Sequence, residues 1–415
     1  MLEAGEYDAR SRAVLYYIAK RISLPAERLC GLERWVAHRL FFAREAAAAH
    51  DDDQAEQTDE DRLRATMKSR NKRGRLWRWT ATGTSVVVGA VALGLTGGLA
   101  APLLAAGIGM LGVTWAGALA TVGGIALVTS LFGVAGGGLT GYRMARRTGG
   151  LSEFAFLPIG VDPKLPVIPS LHATIVVPGY LKPGTDATMP WRVPCARHLG
   201  DRDVYALAYD TQVLQELGKA FREFLATQAA SYAAGQVLKH TALAAIMTPL
   251  AAPMTLVKLG SIIDNPWGMA VDRARKAGLV LADVLQERVQ GRRPVTLVGY
   301  SVGALTIFEC LQALADRGCY GLVDSAVLLG APVGDDRKLW RKARSVVSNR
   351  LVNGYVGSDW ILAFLCRVHD QQLKPAGLMP IPMPGVESVD LSGVINGHLG
   401  YRKQLDAILS VIDIS

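Results

Sequence analysis

"PVTLVGYSVGALTIFECLQALADRG", residues 294–318, decides how this chain is read. The run PVTLV has the continuous apolar character of a strand buried on both faces, and it ends at Gly299. A helical pattern begins at Val302, and between the two lies Gly-Tyr-Ser-Val-Gly with Ser301 at its centre. A bare G-x-S-x-G is a weak signal, because an incidental serine in a tight turn also satisfies it. Strand before and helix after make it a nucleophile elbow. That sharp turn leaves no room for side chains beside the serine, which is why glycines flank it. The helix N-terminus then aims its dipole and free N–H groups at the reacting atom.

An activated serine needs a general base and a group that orients the base. On an elbow of this kind the chain order is serine, acid, histidine. "RLVNGYVGSDW" (350–360) reads as a strand running into a loop that carries Asp359, the candidate acid. Asp359 also suits an N-cap for the helix that starts at "WILAFL". Asp335 and Asp336, after the preceding strand, are rival acids. His398, in the loop of "SGVINGHLGYR" (392–402) after the last strand, is the candidate base. His369 precedes that strand and reads as a surface or packing residue, while His172, His198 and His240 come before the serine. An oxyanion hole requires two backbone donors. Val302 supplies one, and Gly179 or Tyr180 in "VVPGYLKPG" (176–184) is the candidate for the other, against an ordinary Pro-Gly turn.

Around the elbow the texture is that of an α/β domain with a mostly parallel sheet. Strand-like runs occur at 171–178, 203–210, 294–300, 323–332, 350–356 and 386–391. Helical patterns separate most of them, including 268–291, 302–318 and a terminal "YRKQLDAILSVI" (401–412). The domain is therefore expected over 150–415, with an insertion at about 211–263 that contains "TALAAIMTPLAAPMTL" (241–256). That segment is short for a span and broken by Pro249 and Pro253. Buried core, a re-entrant segment and an apolar cap over the site all fit it.

Upstream, Trp79 to Tyr142 holds 64 residues without Asp, Glu, Lys, Arg or His. One bilayer crossing takes about 20 apolar residues, so two or three spans fit. The segment is rich in Gly and Ala, which let helices approach closely in lipid, and Pro102 is a candidate turn. Basic runs flank it, "KSRNKRGRLWR" (68–78) and "RMARR" (143–147). An even number of crossings follows, a helical hairpin with both ends and the catalytic domain on the cytoplasmic side. The competing reading is a very apolar core domain. Residues 1–78 read as a helical N-terminal region with a charged linker, its acidic run at 50–62.

The bulk composition agrees with partial membrane residence. Hydrophobic residues make up 50% and charged residues 20%, with 44 glycines. A net charge of +9 suits an anionic membrane surface. No zinc spacing or RNA-binding aromatic signature supports nucleic acid, and nothing calls for a metal or other cofactor. The five cysteines lack C-x-x-C spacing and fit free thiols in a reducing compartment. The charged N-terminus has no apolar h-region, so no cleaved secretory signal is expected there.

Several stretches resemble the transmembrane and coiled-coil domain-containing protein 4 family, the domain of unknown function 726. They include "LTGGLAAPLLAAGIG" (95–109), "IIDNPWGMAVDRARKAGLVLADVL" (262–285), "RRPVTLVGYSVGALTIFECLQ" (292–312), "RSVVSNRLVNGYVGSDWILAFL" (344–365) and "GHLGYR" (397–402). The resemblance implies an α/β-hydrolase fold behind a glycine-rich hydrophobic segment, and a membrane-associated serine hydrolase. It places Ser301, Asp359 and His398 on the family's motif positions. The expected partners are the bilayer and an acyl-ester substrate, a lipid among the candidates. A non-catalytic, membrane-tethered binding module and a membrane-active effector are the alternatives.

Overall fold

All six apolar runs form strands, and a seventh joins them. In the computed structural model, residues 7–43, 151–160, 170–200, 202–233, 254–289, 293–370 and 374–414 are described. The strands are β1 (Phe154–Ile159), β2 (Ala173–Val177), β3 (Asp203–Tyr209), β4 (Val295–Tyr300), β5 (Val323–Leu329), β6 (Leu351–Tyr355) and β7 (Val386–Asp390). They build one seven-stranded sheet in the order β1-β3-β2-β4-β5-β6-β7. Every pairing is parallel except β1 with β3. Strand β1 is the one absent from the sequence reading. It carries Pro158, which removes a ladder donor and is tolerated at this sheet edge. β2, β4 and β5 are buried along their whole length, as their unbroken apolar sequences require.

This order is that of an α/β-hydrolase, with helices on both faces of the sheet. The chain steps from β2 outward to β3, then returns past β2 to β4. The direction of winding thus reverses between β2 and β4. Loops leaving the carboxyl ends of those two strands must meet there, and open α/β sheets bind their ligands at this point.

The helices are α1 (Ala9–Arg21), α2 (26–43), α3 (Arg192–His198), α4 (Thr211–Ala233), α5 (Met254–Gln286), α6 (Val302–Asp316), α7 (Arg337–Ser345), α8 (Trp360–Asp370), α9 (His398–Lys403) and α10 (Leu405–Ile412). Helix α6 buries nearly all its side chains, as expected of a helix apolar on every side. It packs on α5, which packs on α4, while α3 and α10 pack together. The α5–α6 crossing is close at Gly278, where a Cβ would come within 2.5 Å of the Thr306 carbonyl oxygen. Helix α5 starts well before the 268–291 expected for it and continues through Pro266. The proline forfeits one intrahelical hydrogen bond without ending the helix. Residues 211–233 and 254–263 of the expected insertion therefore belong to α4 and α5, helices of the layer itself.

The N-terminal helices are fastened to the sheet. The Asp8 side chain caps α1 through the Ser11 N–H at 2.8 Å, and the Ala9 N–H reaches the Gly321 carbonyl at 3.0 Å. Arg12 is buried, paired with Glu33 of α2 at 2.9 Å and with Asp324 of β5 at 3.0 Å. No disulfide links the five cysteines. Burial pushes the Cys195 thiol up to about 12, so it behaves as a packing residue. The expected hairpin at 79–142 and the segment 241–253 lie outside the described residues. Among the described residues, no helix is long and apolar enough to cross a membrane.

Candidate active site

Ser301 stands where β4 turns into α6, with φ 56° and ψ −129°. For a non-glycine residue this is a strained conformation, of a kind that concentrates at functional sites. The Ser301 N–H donates to the Leu329 carbonyl at 2.8 Å, tying the turn to β5. The flanking glycines are steric necessities. A Cβ at Gly299 would fall 2.8 Å from the Gly303 carbonyl, and one at Gly303 would fall 2.3 Å from the Val177 carbonyl oxygen at the end of β2. The elbow and the loop after β2 are thus pressed together, as the topology demanded.

The three residues expected from the motif order converge. Ser301 Oγ lies 2.7 Å from His398 Nε2, and His398 Nδ1 lies 2.7 Å from Asp359 Oδ2. All three are fully buried. With the carboxylate accepting from Nδ1–H, Nε2 is the lone-pair nitrogen and accepts from the serine hydroxyl. Asp359 does two jobs at once: Oδ2 faces the histidine while Oδ1 accepts the Leu362 N–H at 3.1 Å and caps α8. The rival Asp336 caps α7 through the Lys338 N–H at 2.8 Å, and the chain leaves Asp335 beside it. His369 belongs to α8 near Gly268, away from the serine. His172 is buried against Thr296 and His198 pairs with Asp406.

The loop expected to carry the second donor is held from several sides. A Cβ at Gly179 would sit 2.0 Å from the Tyr300 carbonyl oxygen and 2.8 Å from the Val302 nitrogen. Gly179 therefore lies directly against the N-terminus of α6, where the Val302 N–H has no intrahelical acceptor. Tyr209 donates to the Pro178 carbonyl at 3.0 Å, Tyr300 to the Tyr180 carbonyl at 2.7 Å, and the Leu181 N–H to Leu214 of α4 at 2.9 Å. These bonds fix the backbone of 178–181 beside Ser301.

Motif reading alone missed the cage around the histidine. The Tyr180 hydroxyl donates to the His398 carbonyl at 3.2 Å, and the rings of Tyr180, Phe221 and Tyr401 surround the imidazole with centroids 5.3–5.9 Å away. Gly330 makes room for Tyr401, since a Cβ there would meet that ring at 2.5 Å. Burial raises the Tyr180, Tyr300 and Tyr401 phenols well above their ordinary value, so all three stay neutral, and the first two act as donors. Only the tyrosine in "PGY" and the one in "GHLGYR" hinted at this, and neither has a motif of its own. Farther out, Phe224 stacks on Phe364 and meets Trp360, and Phe221 meets Trp267. Aromatic side chains from α4, α5 and α8 thus pack in clusters outward from Phe221 and the histidine.

Among solved structures, the chain is similar to 2-hydroxy-6-oxo-6-phenylhexa-2,4-dienoate hydrolase from Rhodococcus sp. strain RHA1. The identity is 12%, covering 63% of this chain and 97% of that one, at a TM-score of 0.24. The sheet order and the elbow, rather than that overlap, carry the fold assignment. Among sequences, it is 36% identical over 419 residues to an uncharacterized membrane protein of Caenorhabditis elegans, F35D11.3, covering 99% of this chain and 64% of that protein. It is 34% identical to the rice (Oryza sativa subsp. japonica) transmembrane and coiled-coil domain-containing protein STS1, covering 99% of this chain and 61% of the relative. It is 32% identical to the Saccharomyces cerevisiae protein named probable lipase MIL1, covering the whole chain but 38% of that protein. The chain thus spans less than two thirds of the length of each of these three relatives. The family description "Protein of unknown function (DUF726)" matches residues 74–415, elbow, acid and histidine included, and the chain belongs to that family.

Proposed function

We propose that this protein is a membrane-associated serine hydrolase of esterase or lipase type that cleaves an acyl ester. The observation that carries the reading is the continuous relay from Ser301 through His398 to Asp359, with 2.7 Å at each step, at the reversal point of the sheet. In this reading the Ser301 Oγ attacks the ester carbonyl carbon as its proton passes to His398 Nε2. Asp359 holds the imidazole and stabilises the imidazolium. The Val302 N–H and a donor from Gly179 or Tyr180 hold the oxyanion. His398 returns the proton to the departing alcohol, leaving an acyl-serine. A water molecule, deprotonated by His398, then releases the acid and restores Ser301.

The aromatic rings around His398 support an acyl rather than a sugar or peptide substrate, because they make the surroundings apolar with few polar groups. The name of the yeast relative supports the lipase reading. Membrane association is supported by the uncharged run 79–142 and by relatives named as membrane proteins. On this reading 79–142 inserts as a hairpin that holds the catalytic domain beside its substrate, with both basic flanks on the cytoplasmic side.

The test is labelling of the full chain by a fluorophosphonate probe, alongside Ser301→Ala. Labelling of the wild type, lost in the variant, is expected. A well-folded wild type that takes no label at any concentration, in detergent or in vesicles, would sink the proposal. The complete burial of Ser301 favours one alternative, a hydrolase fold retained as a binding module. Under that alternative Ser301→Ala leaves function intact.

A further inference from the structure

Both N-terminal helices are apolar on two opposite sides. Helix α2 buries Leu29, Ala37 and Phe41, yet Leu32, Trp35 and Phe42 remain 53%, 59% and 54% exposed. With Arg28 and Arg39, the exposed three recur at alternating steps of four and three residues. At 3.6 residues per turn that spacing draws one stripe along the outer side of the helix. Helix α1 repeats the pattern: Ala9, Arg12 and Ala19 are buried, while Val14, Tyr17 and Ile18 are half exposed or more. The guanidiniums lie over the exposed rings, Arg39 at 5.5 Å from the Trp35 centroid and Arg21 at 5.3 Å from that of Tyr17. Neither stripe contains a carboxylate. Glu33 faces inward to Arg12, and Glu27 lies off the stripe, beside the groove that α2 shares with α10.

We propose that these outer stripes dock on the surface of an anionic lipid bilayer. The choice of occupant rests on charge and chemistry. Aliphatic side chains, Trp and Tyr with polar tips, and arginines with no carboxylate in the stripe itself complement a surface that is apolar below and negative above. A soluble protein partner would have to supply an acid in register with each arginine, whereas an anionic bilayer meets all of them with one continuous negative surface. Chain continuity keeps α2 near the bilayer: beyond the acidic run at 50–62 the sequence enters its basic run at 68–78, 25 residues after α2, followed by the 64 uncharged residues. The stripes are short, so they give reversible contact that orients the domain. The inference is independent of the chemistry at Ser301.

Hydroxyl-radical footprinting of the full chain tests it, in vesicles of phosphatidylcholine alone and of phosphatidylcholine with phosphatidylserine. Oxidation is read at Tyr17, Trp35 and Phe42. Met189 and Tyr320, 46% and 51% exposed on the main domain, are the references. Phosphatidylserine should protect the three stripe residues, added salt should reverse the protection, and the references should not change. In Arg28→Gln/Arg39→Gln the ratio of docked to undocked protein should fall about fivefold per charge removed. Equal oxidation in both kinds of vesicle overturns the proposal. Protection in lipid-free detergent that grows with protein concentration also overturns it, assigning the stripe to a second copy of the chain.

Discussion

At the scale of the residue, Asp359 carries two roles on one carboxylate. One carboxylate oxygen caps α8 and the other holds His398, so Asp359→Asn keeps a good cap and loses the correct histidine tautomer. On the proposed serine-hydrolase reading, the expected result is a melting temperature near that of the wild type with kcat reduced by about 10⁴-fold. A variant retaining activity within a small factor would remove Asp359 from the relay. Gly179 gives the complementary case. A methyl group there overlaps the Tyr300 carbonyl and crowds the Val302 nitrogen, so Gly179→Ala must displace the loop 178–181, which the proposed mechanism uses as an oxyanion donor. A loss of about 10²- to 10³-fold in kcat is expected, the scale of one oxyanion donor, and acyl-enzyme formation measured by rapid quench should carry it.

Elements decide what single residues cannot. The α5–α6 crossing depends on Gly278, and Gly278→Ala should cost about 1–3 kcal/mol through overpacking against the Thr306 carbonyl. Denaturant unfolding measures this, with the slope unchanged. His172, at the start of β2, shows how the sheet ties stability to pH. Burial first, then the charges of Arg12, Arg202 and Arg293, hold its pKa well below the ordinary value of 6.5. The unfolded chain therefore binds a proton near 6.5 that the folded chain refuses. The His172 contribution is complete above that pH and is lost as pH falls through it toward the folded value. Unfolding free energy should decline on acidification from 7.5 toward 5, and His172→Gln should flatten the decline.

Across the whole molecule, the N-terminal helices and the sheet share one buried ion-pair cluster. Arg12→Met would leave Glu33 and Asp324 facing each other without a cation, at a cost of about 3–5 kcal/mol. Proteolysis should then release residues 1–43 before the sheet unfolds. Intact protection of α1 and α2 in that variant would show that the cluster is not what fastens them.

The elbow, the parallel strands and the order of serine, acid and histidine were legible in the chain, because each follows from local periodicity or from order along the sequence. Asp359 was legible both as an acid and as a helix cap, and it is placed to serve as both. Edge strand β1 was not legible, since Pro158 argues against a strand until a sheet edge is there to accept it. The passage of α5 through Pro266 and the tyrosine cage around His398 were also hidden. They depend on contacts between segments more than a hundred residues apart, or on packing strong enough to override a local rule. The sequence by itself determined which groups could react and in what order the chain delivers them. Only the tertiary structure decided that they meet at the reversal point between β2 and β4. The distances between Gly179, Ser301, Asp359 and His398 are set by how the strands wind, and no local pattern encodes that.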